Sequence, residues 1–165
     1  MIATEPVIPY KWQKRFIDLA RFWAKYMTCD RAEVGAVIVR GKRVIASGYG
    51  GSPSGSHTCD QAGHAMLHGH CVRTVHAEMN AIAQAARFGP SIDGCDLYCT
   101  FMPCFNCAKM IAAVGIARVY YLEAYHPEEW EFYEPLYDNL NTTFIRLEES
   151  PEDDDRESII SNVQV

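Results

Sequence analysis

Trp12, Phe16, Leu19, Ala20, Trp23 and Met27 recur at i, i+4, i+7, i+8, i+11 and i+15, the stripe of an amphipathic helix. Val34 to Val39 is a continuous apolar run rich in β-branched residues, and Gly41-Lys42 turns it into Val44-Ile45-Ala46. That pattern predicts a buried hairpin with both strands in a covered sheet. From Gly48 to Gly55 the sequence Gly-Tyr-Gly-Gly-Ser-Pro-Ser-Gly reads as loop. The His-rich stretch up to Cys71 has no clear period and needs something such as a metal to fix it. Thr74 then reads as the N-cap of a helix striped by Met79, Ile82, Ala83 and Ala86 and ended by Gly89-Pro90.

A short strand around Leu97 to Thr100 follows. Pro103 opens a second helix that buries Ala108, Ile111 and Ala112 and stops at Gly115. Val119 to Leu122 is a further strand, Glu128 to Leu140 a helix broken at Pro135, and Thr143 to Leu147 a last strand. Strands alternating with helices predict an α/β chain, one three-layer α/β/α sandwich around a mixed sheet of about five strands. The domain is expected to span residues 1–147, with a Cys/His-rich insertion at 57–75.

The net charge of -6 changes the picture once it is located. Residues 148–165 hold seven acids against Arg156 alone, and the other residues hold 14 acids and 14 bases. A balanced body with an acidic tail is a poor footprint for a nucleic-acid polymer, so a small substrate is expected. No apolar run reaches the roughly 18 residues of a membrane span. Glu5, Pro6 and Pro9 interrupt the N-terminus before a signal sequence could form. The expectation is a soluble cytoplasmic protein with no membrane partner.

Seven cysteines in such a chain need an explanation other than disulfides. Cys95 and Cys99 fall in the strand pattern, where free cysteine is a small buried hydrophobe. Cys104 and Cys107 form a Cys-x-x-Cys pair at one helix start, and His76-Ala77-Glu78 opens another. One imidazole and two thiolates give zinc three ligands and leave a fourth position for water, the mark of a catalytic rather than a structural site. Partial positive charge at helix N-termini favours thiolate over thiol. Glu78, two residues after the histidine, could reach the water without ligating the metal. His-x-Glu paired with Pro-Cys-x-x-Cys is the zinc-deaminase signature, for which the general pattern is well described.

The chain resembles the deoxycytidylate (dCMP) deaminases of the cytidine-deaminase-like superfamily from about residue 11 to 147. The matching text is Val34 to Val39, Gly48-Tyr49-x-Gly51-x-Pro53-x-Gly55, Cys71 to Glu78 with Asn80-Ala81-Ile82, Pro103-Cys104-x-x-Cys107-Ala108-Lys109 and Tyr125. The resemblance implies a cytosolic homo-oligomer, a hexamer, that converts dCMP to dUMP and ammonia. It implies zinc on His76, Cys104 and Cys107, a nucleophilic water attacking C4 of cytosine, and Glu78 as proton shuttle. It places backbone groups at Ala77 and around Thr100 on the base edge, and Thr28, Arg31 and Tyr125 near the phosphate. Arg31 beside Asp30 and Glu33 reads equally as a solvated charge, and Tyr125 as a packed aromatic.

Some members of that family hold a second, structural zinc, which implies Cys29, Cys59, His64 and His70 as ligands here, with Cys71 as the alternative fourth. Many are activated by dCTP and inhibited by dTTP, and the implied effector residues are Gly48, Tyr49, Gly50, Gly51, Pro53, Gly55, Asn80 and Arg87. The glycines would let backbone N–H groups approach a triphosphate and its Mg²⁺. Gly50 departs from the family, which usually has Asn there. The competing readings are another zinc deaminase, of tRNA adenosine, guanine, free-cytosine or pteridine type, and a zinc-stapled binding module. The last has no use for Glu78.

Overall fold

The structure, a computed structural model, describes residues 7–125 and 130–148. The acidic segment beyond Glu148 and the expected helix start at Glu128 lie outside the described residues. In chain order the elements are α1 (Tyr10–Ala24), β1 (Gly35–Arg40), β2 (Arg43–Tyr49), α2 (Cys59–Ala62), β3 (Met66–Leu67), β4 (His70–Cys71), α3 (Ala77–Phe88), β5 (Asp96–Phe101), α4 (Phe105–Ala113), β6 (Arg118–Glu123), α5 (Trp130–Asp138) and β7 (Thr143–Arg146). Five strands form one sheet in the order β2-β1-β5-β6-β7, and β3 and β4 form a separate hairpin. β1 runs antiparallel to β2 and β5, whereas β5, β6 and β7 are parallel. The parallel half follows from the crossovers, since α4 and α5 each return the chain to the same end of the sheet.

Strand alternation assigns the layers. Ala36, Ile38, Leu97, Cys99 and Val119 point to one face and pack against α3 and α4 through Ala77, Ala81, Ile82 and Ile111. Val37, Val39, Tyr98, Tyr120 and Leu122 point to the other and meet Phe16, Ile17 and Ala20 of α1. An aromatic group of Phe105, Tyr133, Tyr137 and Phe144 extends the first layer to α5. This is the α/β/α sandwich that the alternation of elements predicts. Cys95 and Cys99 are fully buried in it.

Two glycines set how closely the helices approach. A Cβ on Gly35 would collide with the Ala20 carbonyl oxygen and lie 2.7 Å from Ala24 N. A Cβ on Gly48 would collide with the Ala77 carbonyl oxygen and lie 2.6 Å from Ala81 N. Both helices therefore rest backbone against backbone on the hairpin, α1 on one face and α3 on the other.

The structure corrects several expectations. β2 is an edge strand that exposes Arg43 and Val44, so only one strand of the hairpin is fully covered. Gly48 and Tyr49 belong to β2, because they continue its pairing with Ala36 and Gly35. Met27 lies beyond α1, which ends at Ala24. α5 runs through Pro135 without a break, although a proline at this point removes the bond its N–H would make to the carbonyl four residues back. α3 begins after His76, not Thr74.

Candidate functional site

His76 and Cys104 are the N-cap residues of α3 and α4, both in extended conformation and neither with a side-chain cap bond. Their side chains turn toward each other instead. His76 Nδ1 lies 3.5 Å from Cys104 Sγ and 3.4 Å from Cys107 Sγ. Zinc–nitrogen and zinc–sulfur bonds of ordinary length at a tetrahedral angle separate N and S by about 3.5 Å, so the trio fits one zinc ion. Three protein donors within 4.8 Å of one another leave the fourth direction open.

Glu78 sits in the first turn of α3 and is 3% exposed. Its Oε2 is buried with no hydrogen-bond partner. Burial pushes its carboxyl up to about 7, against the pull of its own backbone N–H and of His76. A hydrogen bond from Cys107 first, and then His76, hold Cys104 down at about 4. Cys107 is driven up by the same bond and by burial. The Cys104 bond raises His76 to about 9 despite partial burial. His76, Cys104 and Cys107 make a metal-ligating set beside the buried carboxyl of Glu78, one oxygen of which is idle.

Tyr137 supports this arrangement, and the sequence reading missed it. Its hydroxyl donates to the Pro103 carbonyl oxygen at 2.7 Å, fixing the turn that presents Cys104. No sequence signal joins a tyrosine of α5 to a loop proline 34 positions earlier.

A second cluster forms in the insertion. Cys29, Cys59, His64 and Cys71 bring four donor atoms within 4.8 Å of one another. Cys29 Sγ lies 3.6 Å from His64 Nδ1, and Cys59 Sγ 3.6 Å from Cys71 Sγ. These too are tetrahedral edges of about 3.5–3.8 Å, now with all four corners supplied. His70 is not in the cluster, so the alternative ligand Cys71 takes its place. The register explains this: neighbouring residues of β4 point to opposite sides, and Cys71 is the inward one. Against the cost of burial, backbone N–H groups of Arg73 and Ala65 pull Cys71 down to about 6, whereas burial pushes Cys59 up to about 12. Asp30, which sequence reading passed over, has Oδ1 at 3.1 Å from His64 Nε2. It leaves Nδ1 facing the sulfurs, the outer-shell arrangement common to ligating histidines.

The other expected residues fall into three groups. Ala77 is buried beside His76 and Glu78. Thr100 is committed elsewhere: its hydroxyl donates to Glu33 O and accepts from Gly35 N, tying β5 to the start of β1. Arg31 donates to Gly69 O at 2.8 Å and approaches Met66 Sδ, so it clamps the β3–β4 hairpin. Thr28 Oγ1 accepts from Ser52 N. Tyr125 packs in the aromatic group of α5.

Between Gly48 and Gly55, where a backbone nest is expected, three N–H groups are already bonded within the fold. Gly50 N bonds to Val34 O, Gly51 N to Val75 O, and Ser52 N to Thr28, so these donors are taken. Asn80 spends its amide on Tyr49 O at 2.7 Å. Pro53 and Gly55 are exposed, and Arg87 lies over the Phe88 ring at the far end of α3. Among the described residues, no helix is long and apolar enough to cross a membrane.

Comparison with known proteins gives a consistent set. The model of the family described as cytidine and deoxycytidylate deaminase zinc-binding region matches residues 10–123. ComE operon protein 2 of Bacillus subtilis is 46% identical over 125 residues, 74% of this chain, and this chain spans 66% of that relative's length. The deoxycytidylate deaminase of Enterobacteria phage T4 is 35% identical over 147 residues, 66% of this chain and 76% of the phage protein. The crystal structure of dCMP deaminase from cyanophage S-TIM5 in complex with dCMP and dUMP superposes with a TM-score of 0.73 at 30% identity, covering 86% of this chain and 100% of that one.

Proposed function

The chain belongs to the cytidine and deoxycytidylate deaminase family, and on that premise we propose that it deaminates dCMP to dUMP and ammonia. The observation that carries the reading is the buried Glu78, whose idle Oε2 lies at the same helix start as His76 and across from Cys104 and Cys107. Zinc held by those three donors supplies a Lewis acid that makes water a nucleophile near neutral pH. Glu78 takes the proton of the attacking water, gives it to N3 of the ring and then assists the departing amine. Its burial keeps that proton from exchanging with bulk water during the transfer. Tyr137 holds the Pro103-Cys104 turn so that the thiolate and the carboxylate keep their separation.

The same proposal assigns Cys29, Cys59, His64 and Cys71 to a structural zinc that fixes the insertion against the chain between α1 and β1. Four soft or borderline donors with no open corner suit structure rather than catalysis. Exposed Phe22, Tyr26, Phe88 and Phe132 are apolar surface that a homo-oligomer would cover. Control by dCTP or dTTP at the Gly48–Gly55 segment would have to use groups other than the Gly50, Gly51 and Ser52 N–H, which are bonded within the fold.

The test is ammonia release from dCMP, CMP, cytidine and dCTP by the zinc-loaded protein, with Glu78→Gln alongside. The expected result is turnover of dCMP ahead of the others, and a loss of roughly 10²–10⁴-fold in the variant with zinc content unchanged. Near wild-type turnover by Glu78→Gln would overturn the mechanism, and inertness toward dCMP would overturn the substrate.

A further inference from the structure

The electrical balance of the body conceals a segregation. Residues 7–50 carry nine cations against Asp18, Asp30 and Glu33, a net +6, while residues 148–165 carry a net -6. Two of those nine cations stand over one aromatic side chain, and three more are close to them in sequence. Lys11, Lys14 and Arg15 lie on the first turns of α1, and Lys42 and Arg43 at the β1–β2 turn. Arg15 Cζ stands 4.6 Å and Lys42 Nζ 5.2 Å from the centroid of the Trp12 ring. Lys11, Arg15, Lys42 and Arg43 are exposed. Asp18 on the same helix is already bridged to Lys14 and Arg21. Cations held this close raise the local potential and attract a polyanion.

The described chain ends beside this place. Tyr10 Oη donates to the Glu148 carbonyl oxygen at 2.8 Å, one residue before Lys11. Leu147 packs in the same cluster as Trp12. Residues 149–157 then hold Glu149, Glu152, Asp153, Asp154, Asp155 and Glu157 against Arg156. Nine residues reach up to about 30 Å. Lys11 to Arg15 lie within about 7.5 Å of Tyr10 along the helix axis. Each exposed ion pair is weak, but the tether fixes a high effective concentration and the pairs act together.

We propose that the basic face around Trp12 (Lys11, Lys14, Arg15, Lys42 and Arg43) binds the chain's own acidic segment, residues 149–157. Bound there, the segment is a built-in counter-polyanion that keeps nucleic-acid phosphates off a face that would otherwise attract them. It would let a protein acting on a free nucleotide ignore the polymers made from nucleotides. This binding is independent of the proposed reaction and stands or falls without it.

The test uses the full chain and zero-length carbodiimide cross-linking, which joins lysines to touching carboxylates. Lys11, Lys14 and Lys42 are expected to link to acids 149–157, with Lys25 and Lys109 as unlinked controls. The links should vanish at 1 M NaCl, where screening acts within about 3 Å. Protein re-formed from mixed ¹⁴N- and ¹⁵N-grown chains should show them within one chain. A full-length variant carrying Glu149→Gln, Glu152→Gln, Asp153→Asn, Asp154→Asn, Asp155→Asn and Glu157→Gln should bind a single-stranded oligonucleotide at least tenfold more tightly than wild type at low salt. Adding Arg15→Glu and Lys42→Glu should remove that gain. Links spread evenly over the five lysines, links only between differently labelled chains, or equal oligonucleotide binding by wild type and variant would each overturn the proposal.

Discussion

Replacing Gly48 by alanine adds one methyl group where β2 meets α3. The new carbon would lie 2.6 Å from Ala81 N and closer still to the Ala77 carbonyl oxygen. Ordinary contact begins at 3.4 Å, so at least roughly 0.8 Å must come from a shift of one element past the other. No rotamer can relieve the clash, because both neighbours are main-chain atoms of a helix. Overpacking of this kind costs about 1–3 kcal/mol. The functional cost is the larger signal. Ala77 stands between His76 and Glu78, so the helix start that must move is the one carrying the site. A displacement near 1 Å at reacting groups costs on the order of 10²-fold in rate. The assay pairs thermal melting with initial rates on saturating dCMP, and Gly50→Ala is the control. At Gly50 a Cβ meets only Met27 Cε at 3.5 Å, so that change should stay within about 0.5 kcal/mol. If Gly48→Ala melts and turns over as Gly50→Ala does, the backbone contact does not position the site.

Two further changes probe the rest of the framework. Cys71→Ser should lower bound zinc from about two ions per chain to one and reduce stability, because a structural site's binding energy is folding energy. His70→Ala should leave metal content and melting unchanged; a reversed pattern would restore His70 as the ligand. Arg118→Met leaves Asp96, 2% exposed and held by Arg118 at 2.6 and 3.0 Å, without this partner. The expected loss is about 3–5 kcal/mol by denaturant unfolding, and a change below about 1 kcal/mol would show that the pair contributes little.

The grouping of His76, Cys104 and Cys107 was legible because each sits at or beside a helix start, and the helices carry local marks: Gly89-Pro90 closes one and Pro103 precedes the other. The layer order was legible from the alternation of strand and helix. Cap identity was not, because Thr74 has the better capping chemistry, yet α3 begins after His76, whose ring faces Cys104 and Cys107 at the start of α4. The choice of Cys71 over His70 depends on which side of a two-residue strand faces Cys29, and no composition rule encodes that. Arg31 and Thr100 carry polar groups that suit a ligand, yet both are satisfied by backbone atoms 38 and 67 residues away. The glycines of residues 48–51 looked like room for a phosphate. At Gly48 the room belongs to another helix's backbone, a contact visible only once α3 is in place.

The N-cap positions of α3 and α4 face each other without capping their own helices. A metal joining them would turn two helix starts into a single cooperative unit. Amide exchange at Asn80 and Ala108, whose N–H groups bond to the His76 and Cys104 carbonyl oxygens, would then be governed by one opening event rather than two. Local opening of either helix would release the other's ligand as well. The protein cannot retain half a centre: occupancy and the integrity of both helix beginnings rise and fall together, which makes slow exchange at these two amides a direct gauge of metal loading.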